Sequence, residues 1–481
     1  MFKSIHNINY KFFSKLLFLS WLCFAPTLAL HPQEAGRYDH YVINDTDLIK
    51  PSEYALRRQK ALDYLDSGMA LFLESSKEKV RSNDVNFDFK QNNNLYYLTG
   101  INEIGVSFIL FKNAFHLKNG DSTYEILFVK DRDKYSDLWI NKRMGVDVAK
   151  KISKIKVVLE DIELQSVLDS ILPKTKTLLY SDWGYNILMD VISRNQSNWV
   201  KDNLIKIKTK YPNLSIINNN QLFSVLRVIK SESEIKLMQK AIDISVEAHL
   251  ETIKNAKLGM YEYELEAIME SVFHKRGSES PAYPSIIGSG ENGCILHYTS
   301  SRRKILNQDL IVMDCGAEYH GYCADITRTI PINGRFSNEQ KLIYDLVYKA
   351  QDSAIKLCRK GNQFKSPHFL AVEIISKGLK SLGIINNESE YGQYFMHGTS
   401  HYLGLDVHDV GSTKILLDEG MIITVEPGIY IANDSPCDKK WWNISVRIED
   451  DILITKDNPI IMSEKLPRIS TEIEKIMKKN L

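Results

Sequence analysis

Cysteine is scarce in this 481-residue chain: six residues, scattered at 23, 294, 315, 323, 358 and 437. None forms a C-x-x-C pair or a Cys/His finger spacing, so neither a disulfide framework nor a structural zinc site is indicated. Net charge is also lacking. The 61 Lys and Arg against 60 Asp and Glu leave a formal +1, which gives no basic field to attract nucleic acid or an anionic membrane. Long apolar runs are missing beyond the first thirty residues, and no internal repeat appears. What is present is ordinary globular composition, 44% hydrophobic and 25% charged, in a length that fits two or three domains with cores of their own.

The N-terminus stands apart. Lys3, Lys11 and Lys15 precede an apolar run from Leu16 to Ala25, and Thr27-Leu28-Ala29 supplies small residues at a cleavage point. That order is the pattern of a secretory signal peptide, and the run is shorter than the ~20 apolar residues a membrane span needs. The expectation is a leader at 1–29, removed near Ala29, and an exported protein, periplasmic or secreted, with no stable membrane anchor.

From Pro51 to Pro212 short β-like runs (Met69–Leu73, Val106–Phe111, Tyr124–Val129, Thr177–Tyr180) alternate with helical ones (Leu56–Leu65, Leu164–Leu172), which predicts an α/β domain over 45–215. Pro212-Asn213 and the Asn218–Asn220 run read as the linker. The second half, 225–460, carries four helix signals. Ser231-x-x-Glu234 and Ser337-x-x-Gln340 are capping boxes, Tyr261–Arg276 is closed by Gly277, and Ser366-Pro367 opens a helix ending at Gly383. Strands are expected at Leu310–Met313, Tyr322–Thr329, Met421–Val425 and Ser445–Ile454. Together these predict an α+β domain, followed by a tail over 461–481.

Four acidic residues fall in or at the ends of those apolar strands: Asp314, Asp325, Glu426 and Glu449. Buried carboxylates stay ionised only beside a counter-charge, and solvated strand ends would account for one or two of them, not four. A hairpin with Asp314 and Asp325 on its arms would set those two side by side. A fifth component is Met396–Asp409, which packs His397, His401 and His408 into twelve residues of a chain with twelve His in all. Four carboxylates and an imidazole are a hard, oxygen-rich set suited to two divalent cations, with Mn²⁺ expected and Fe²⁺, Co²⁺ or Zn²⁺ similar. Two such ions sharing a water would make it hydroxide near neutral pH, which points to hydrolysis of an amide or ester.

These segments resemble the pita-bread metallopeptidases, and aminopeptidase P most closely. The resemblance rests on Met313-Asp314-Cys315-Gly316, Ala324-Asp325-Ile326-Thr327-Arg328-Thr329, the His397–Asp409 stretch, Val425-Glu426-Pro427-Gly428 and Arg447-Ile448-Glu449-Asp450. It covers about Arg227 to Thr455, and Asn94–Ile101 extends it into the first domain, with Tyr96 where many relatives have Trp. It implies a pita-bread catalytic domain behind a smaller α/β domain. The activity implied is that of an Xaa-Pro aminopeptidase acting on peptides with proline second; prolidase, or a non-catalytic pita-bread protein, are the alternatives. Asp314 would bind one ion, His401 and Glu426 the other, with Asp325 and Glu449 bridging. Glu426 would accept the proton of the bridging water. His297 and His408 would act beside the scissile bond, His397 would line the substrate pocket, and Arg447 would hold ligand carboxylates. Homo-oligomers are common in the family. Asp325→Asn is expected to lower the rate by orders of magnitude, and Asp409→Asn to matter far less.

Two features read differently. Gly288-Ser-Gly290-Glu-Asn-Gly293 spells a dinucleotide fingerprint, but Cys294–Tyr298 reads as a strand where that fingerprint needs a helix. Cys315 and Cys323 read as small buried hydrophobes, with a disulfide between them the minor reading.

Overall fold

The computed structural model describes residues 46–117, 120–139, 143–180 and 206–478. The expected leader and Cys23 lie outside the described residues.

The first domain is a six-stranded mixed sheet in the order Val158–Glu160, Ser122–Val129, Ser107–His116, Met69–Glu74, Thr177–Tyr180, Ser215–Asn218. Ser122–Val129, Ser107–His116 and Met69–Glu74 pair antiparallel, and the other three strands are added in parallel. Its first helix, Pro51–Tyr64, starts five residues before the apolar pattern does. Pro51 suits a first turn, and this turn buries Tyr54, Arg57 and Arg58 rather than aliphatic residues. The two arginines are satisfied by the carbonyls of Tyr97 and Leu98. The stretch expected as a linker is instead the sheet's edge strand, Ser215–Asn218, followed by the helix Asn220–Arg227.

The second domain has two helix pairs, Glu232–Asn255 with Glu262–Lys275 and Asn338–Ile355 with Ser366–Ser381. Both capping boxes form: the Ser231 and Ser337 hydroxyls accept from the amides three residues on, and Glu234 and Gln340 return the bond. Met238, Ile242 and Val246 are buried along one face of the first helix, as their spacing requires. Against the helices lie small antiparallel sheets. One is Ile286–Ser289, Leu310–Asp314 and Thr327–Pro331; another is Ile422–Val425, Asp450–Leu453 and Ile460–Ile461; a third pairs Gly428–Ile431 with Ile444–Arg447.

Two expected strands are broken. Tyr322–Thr329 divides into Tyr322–Cys323 and Thr327–Pro331, and Ser445–Ile454 into Ile444–Arg447 and Asp450–Leu453. Asp314 therefore pairs across from Thr327, not Asp325, and Asp325 sits in the gap. Both segments are buried on both faces, so no alternation in the sequence marks the interruption. Cys294–Tyr298 is not a strand either. A 3-10 turn at Gly290–Cys294 follows the Ile286–Ser289 strand, and a Cβ on Gly293 would collide with the Ser445 side chain, so the glycine serves close packing. Residues after 460 do not trail away. Arg328 donates to the carbonyls of Leu466 and Pro467, and the helix Ser470–Lys478 buries Ile473 and Met477. Cys315 and Cys323 are free and buried.

The domains meet at Arg227. Its guanidinium donates to Asn94 at 2.7 Å, Asp406 at 2.6 Å and Asp409 at 2.5 Å, and Lys230 reaches Asp409 at 3.0 Å. Asn93 bonds the Leu405 carbonyl and the Asp406 carboxylate. The loop that carries the three histidines is thus tied to the first domain.

Candidate active site

The strand breaks aim the acidic side chains inward. Asp314 ends its strand, Glu426 follows directly on Ile422–Val425, and Asp325 and Glu449 occupy the two interruptions. At the two interruptions the backbone is released from its ladder, and other groups take over its bonds. The Asp325 amide donates to the Asp451 carboxylate at 3.1 Å, and the Glu449 amide to the Thr327 carbonyl at 3.1 Å. Gly316 permits the crossing: a Cβ there would drive into the Ala324 carbonyl, next to Asp325.

His401 is delivered by an extended segment lying beside Ile422–Val425. Leu403 N–H donates to Ile422, Thr424 N–H to His401 and Glu426 N–H to Thr399, with Tyr402 opposite Ile423. In that antiparallel register His401 lies across from Thr424, so His401 and Glu426 share a face two residues apart. The His401 Nδ1–H donates to the Tyr402 carbonyl at 3.0 Å, which turns Nε2 toward Asp325, at 3.3 Å, and Glu426, at 3.5 Å. Donor atoms of Asp325, His401 and Glu449 all lie within 4.8 Å of one another. Asp314 joins them through Tyr283, whose hydroxyl is 2.6 Å from a carboxylate oxygen of both Asp314 and Asp325.

Around this group stands a frame of hydrogen bonds. Arg447 donates to Asp314 at 2.5 Å, to the Tyr430 hydroxyl at 2.8 Å and to Thr327 at 3.1 Å, and the Thr327 hydroxyl donates to Glu449 at 2.7 Å. The His397 Nδ1–H donates to the Gly398 carbonyl, leaving Nε2 to accept from Tyr430 at 2.9 Å. His408, itself exposed, stands with its ring 4.4 Å from that of His401. His297 comes close enough for its charge to act on His408.

The electrostatics are those of a site short of positive charge. Burial raises the Asp325 carboxyl, with Asp314 adding to it, and raises Glu449 well above its usual range, with Asp325, Glu426 and Asp314 adding. Burial and the Asp325 charge push Glu426 up to about 7. For His401 burial would lower the pKa, but the bond to Asp325 and the charge of Glu426 override it and lift the ring to about 9. His397 goes the other way, to about 4, through burial and the adjacent Arg447. His408 is also lowered, by lost hydration first and then by His401 and His297. Four carboxyls gathered around one imidazole, whose Nε2 faces two of them, form a hard set of oxygens and one nitrogen that suits divalent cations. The residues fit the group.

Comparison with known proteins agrees. Residues 236–456 match metallopeptidase family M24, and residues 54–180 match the aminopeptidase P, N-terminal domain. A Xaa-Pro aminopeptidase of Haemophilus influenzae is 35% identical over 441 residues, 88% of this chain and 97% of that protein; the Escherichia coli Xaa-Pro aminopeptidase is 32% identical over 443 residues, 89% and 98%. The chain belongs to the aminopeptidase P family. Aminopeptidase P from E. coli, solved with the inhibitor Pro-Leu, superposes with a TM-score of 0.79 at 33% identity, covering 90% of this chain and 99% of that one. The fold is accordingly the pita-bread domain behind the family's N-terminal domain, and the chain is a metallo-aminopeptidase.

Asp409, last of the His-rich segment, is not near this group; it is spent in the Arg227–Lys230 cluster. Tyr283, Thr327, Tyr430 and Asp451 are site residues that sequence reasoning passed over. Only Asp451 left a trace, as the third acid of Glu449-Asp450-Asp451 in an otherwise apolar segment.

Proposed function

We propose that the protein removes the N-terminal residue from peptides whose second residue is proline, with two divalent cations, Mn²⁺ by preference, held by Asp314, Asp325, His401, Glu426 and Glu449. When bound, the cations polarise the scissile carbonyl and activate water. The remaining roles fall to this chain's residues. Glu426 takes the proton lost in attack. His408, neutral in its surroundings, and His297 hold the carbonyl oxygen and the departing proline nitrogen by hydrogen bonds. Arg447 keeps the Asp314 carboxylate in place, and His397, fixed by Tyr430, lines the pocket for the proline side. The free α-amine of the substrate would be read at the cations, which makes the enzyme exo-acting.

The observation that carries this reading is the convergence of Asp325, His401 and Glu449, from three separate stretches of chain, on one point. A further support is the ligand named for the E. coli structure: Pro-Leu is the dipeptide that cleavage of Xaa-Pro-Leu would release. The test is product mass analysis of Xaa-Pro-Yaa, its N-acetylated form, Xaa-Ala-Yaa and the dipeptide Xaa-Pro, before and after chelation. Only the first should be cut efficiently, and only with metal restored. Turnover confined to Xaa-Pro would shift the reading to a dipeptidase, and equal cutting of the acetylated peptide would end it.

Export belongs to the same proposal. Residues 1–35 fused to a reporter should carry it across a membrane, and an intact Met1 on protein from the native host's cytosol would count against it.

A further inference from the structure

His297 sits on a long connection, from Ser289 at the end of one strand to Arg303, that contains no strand or α-helix of its own. Two sets of bonds hold this loop, both made by the first two residues of the helix Glu262–Lys275. Helix N-termini leave their first amide donors without intrahelical partners. Here the Glu262 amide donates to the Arg303 carbonyl at 3.1 Å, and the Tyr263 amide to the Ser301 carbonyl at 3.0 Å. The Glu262 side chain then turns back into the loop. Its Oε1 accepts from the Ser289 amide at 2.8 Å, the Ser289 hydroxyl at 2.7 Å and the Asn292 amide group at 3.1 Å; its Oε2 accepts from the Tyr298 hydroxyl at 2.8 Å and the Arg303 amide at 2.9 Å.

Five donors thus converge on one carboxylate that is wholly buried. They come from the loop's beginning, its end, and the residue next to His297. An acceptor-only group with room for about four lone-pair contacts is suited to this, and no neutral side chain is. An ordinary first-turn glutamate points to water and acts on the helix dipole; this one is sunk in the molecule and faces away from that role.

We propose that Glu262 is the positioning residue for His297: it clamps the Ser289–Arg303 loop so that the imidazole meets the leaving side of the substrate beside His408. The inference rests on the role given to His297 above and adds the group that enforces it.

The test is a double-mutant cycle on the metal-loaded enzyme with an Xaa-Pro-Yaa substrate. Glu262→Gln preserves volume, but whichever way the amide turns, its NH₂ confronts a backbone N–H, that of Ser289 or of Arg303. It should lower kcat by on the order of 10- to 100-fold, the penalty of a small misplacement of a reacting group, with KM nearly unchanged. Bound-metal stoichiometry should equal that of the parent. In a His297→Ala background Glu262→Gln should change kcat by less than about 2-fold, because the group it positions is already gone. Tyr298→Phe, which removes one of the five donors and spares the core, should move kcat the same way by less. This variant keeps the cycle readable if Glu262→Gln folds poorly. Full, additive losses in the His297→Ala background would overturn the proposal while leaving the role of His297 standing. A His297→Ala enzyme with parental kcat would instead remove the role of His297, and the proposal with it.

Discussion

Arg447 shows how much of this site depends on a single side chain. Its planar fork spans three acceptors on three strands: Asp314, Tyr430 and Thr327. A lysine keeps the charge but presents a single ammonium on a flexible stem and cannot make that set at once. Arg447→Lys is therefore expected to lose on the order of 10- to 100-fold in metal affinity or activity, the usual cost of altering a group that orients a ligand. Isothermal titration with Mn²⁺ beside steady-state kinetics measures both, and parental values in both would show that charge alone suffices. The residue scale is also where sequence reasoning was most one-sided. Acids inside apolar runs are conspicuous because ionised groups there need a reason. Tyr283 and Tyr430 are not, since a tyrosine in a strand is unremarkable until its hydroxyl is placed. Glu262 is hidden more completely: glutamate in a first helical turn is so well explained by the dipole that nothing suggests it is buried.

Among elements, the strand interruptions matter more than the strands. Capping boxes were legible because each is a local device of four residues, and Ser231/Glu234 and Ser337/Gln340 form as read. The breaks at 324–326 and 448–449 were not, because a strand buried on both faces shows no period that a gap could disturb. Yet the breaks are what swing Asp325 and Glu449 into the site. Gly316 lets the two chain segments cross, with the Ala324 carbonyl filling the space a Cβ would need. Gly316→Ala should force backbone apart between Asp314 and Asp325. The expected cost is about 1–3 kcal/mol of stability from overpacking, together with loss of one equivalent of bound metal. Denaturant melts and elemental analysis of the purified variant decide this; full metal content with reduced stability would mean the crossing is structural only. The edge strand Ser215–Asn218 was missed for a different reason. Four residues bordered by Asn and Pro carry no pattern, and only the neighbouring Thr177–Tyr180 strand makes them a strand.

The whole molecule is held to its site by charge in two places, and each gives a prediction. At the domain junction Asp409 sits between Arg227 and Lys230, all three side chains about 1% exposed. Asp409→Asn leaves Lys230 buried against a neutral amide and Arg227 with the Asp406 carboxylate alone, a change of the kind that costs about 3–5 kcal/mol. The site lies elsewhere, so the effect should appear as a lowered melting temperature with kcat per folded molecule little changed. A large fall in kcat at unchanged stability would place Asp409 in the chemistry after all. The segment's sequence had suggested only that Asp409 would matter less than Asp325, because its partners lie far away in the chain and only the fold brings them together.

The second place is the site itself, and there the sign can be worked out. In the metal-free protein the folded-state pKa values of Asp325, Glu426 and Glu449 are raised, Glu426 to about 7, and that of His401 to about 9. A group whose pKa is raised by folding binds more protons folded than unfolded. Its contribution to stability is complete below the unfolded value and disappears as pH climbs through the folded value. The carboxylates lose theirs from about pH 4.5 upward, past 7 for Glu426, and His401 loses its own between about 6.5 and 9. All four slopes have the same direction. Chelated protein should therefore melt progressively lower from about pH 7 to 9, above the window of about 4 to 6.5 in which His249, His397 and His408, each lowered to about 4 by folding, give the opposite slope. Cations replace those protons, so Mn²⁺ should raise the melting temperature little at pH 5.5 and most near pH 9. Differential scanning calorimetry across that range, with chelator and with excess Mn²⁺, gives the comparison. A metal-induced shift that is flat with pH, or that shrinks toward pH 9, would show that these carboxylates and His401 are not where the cations bind.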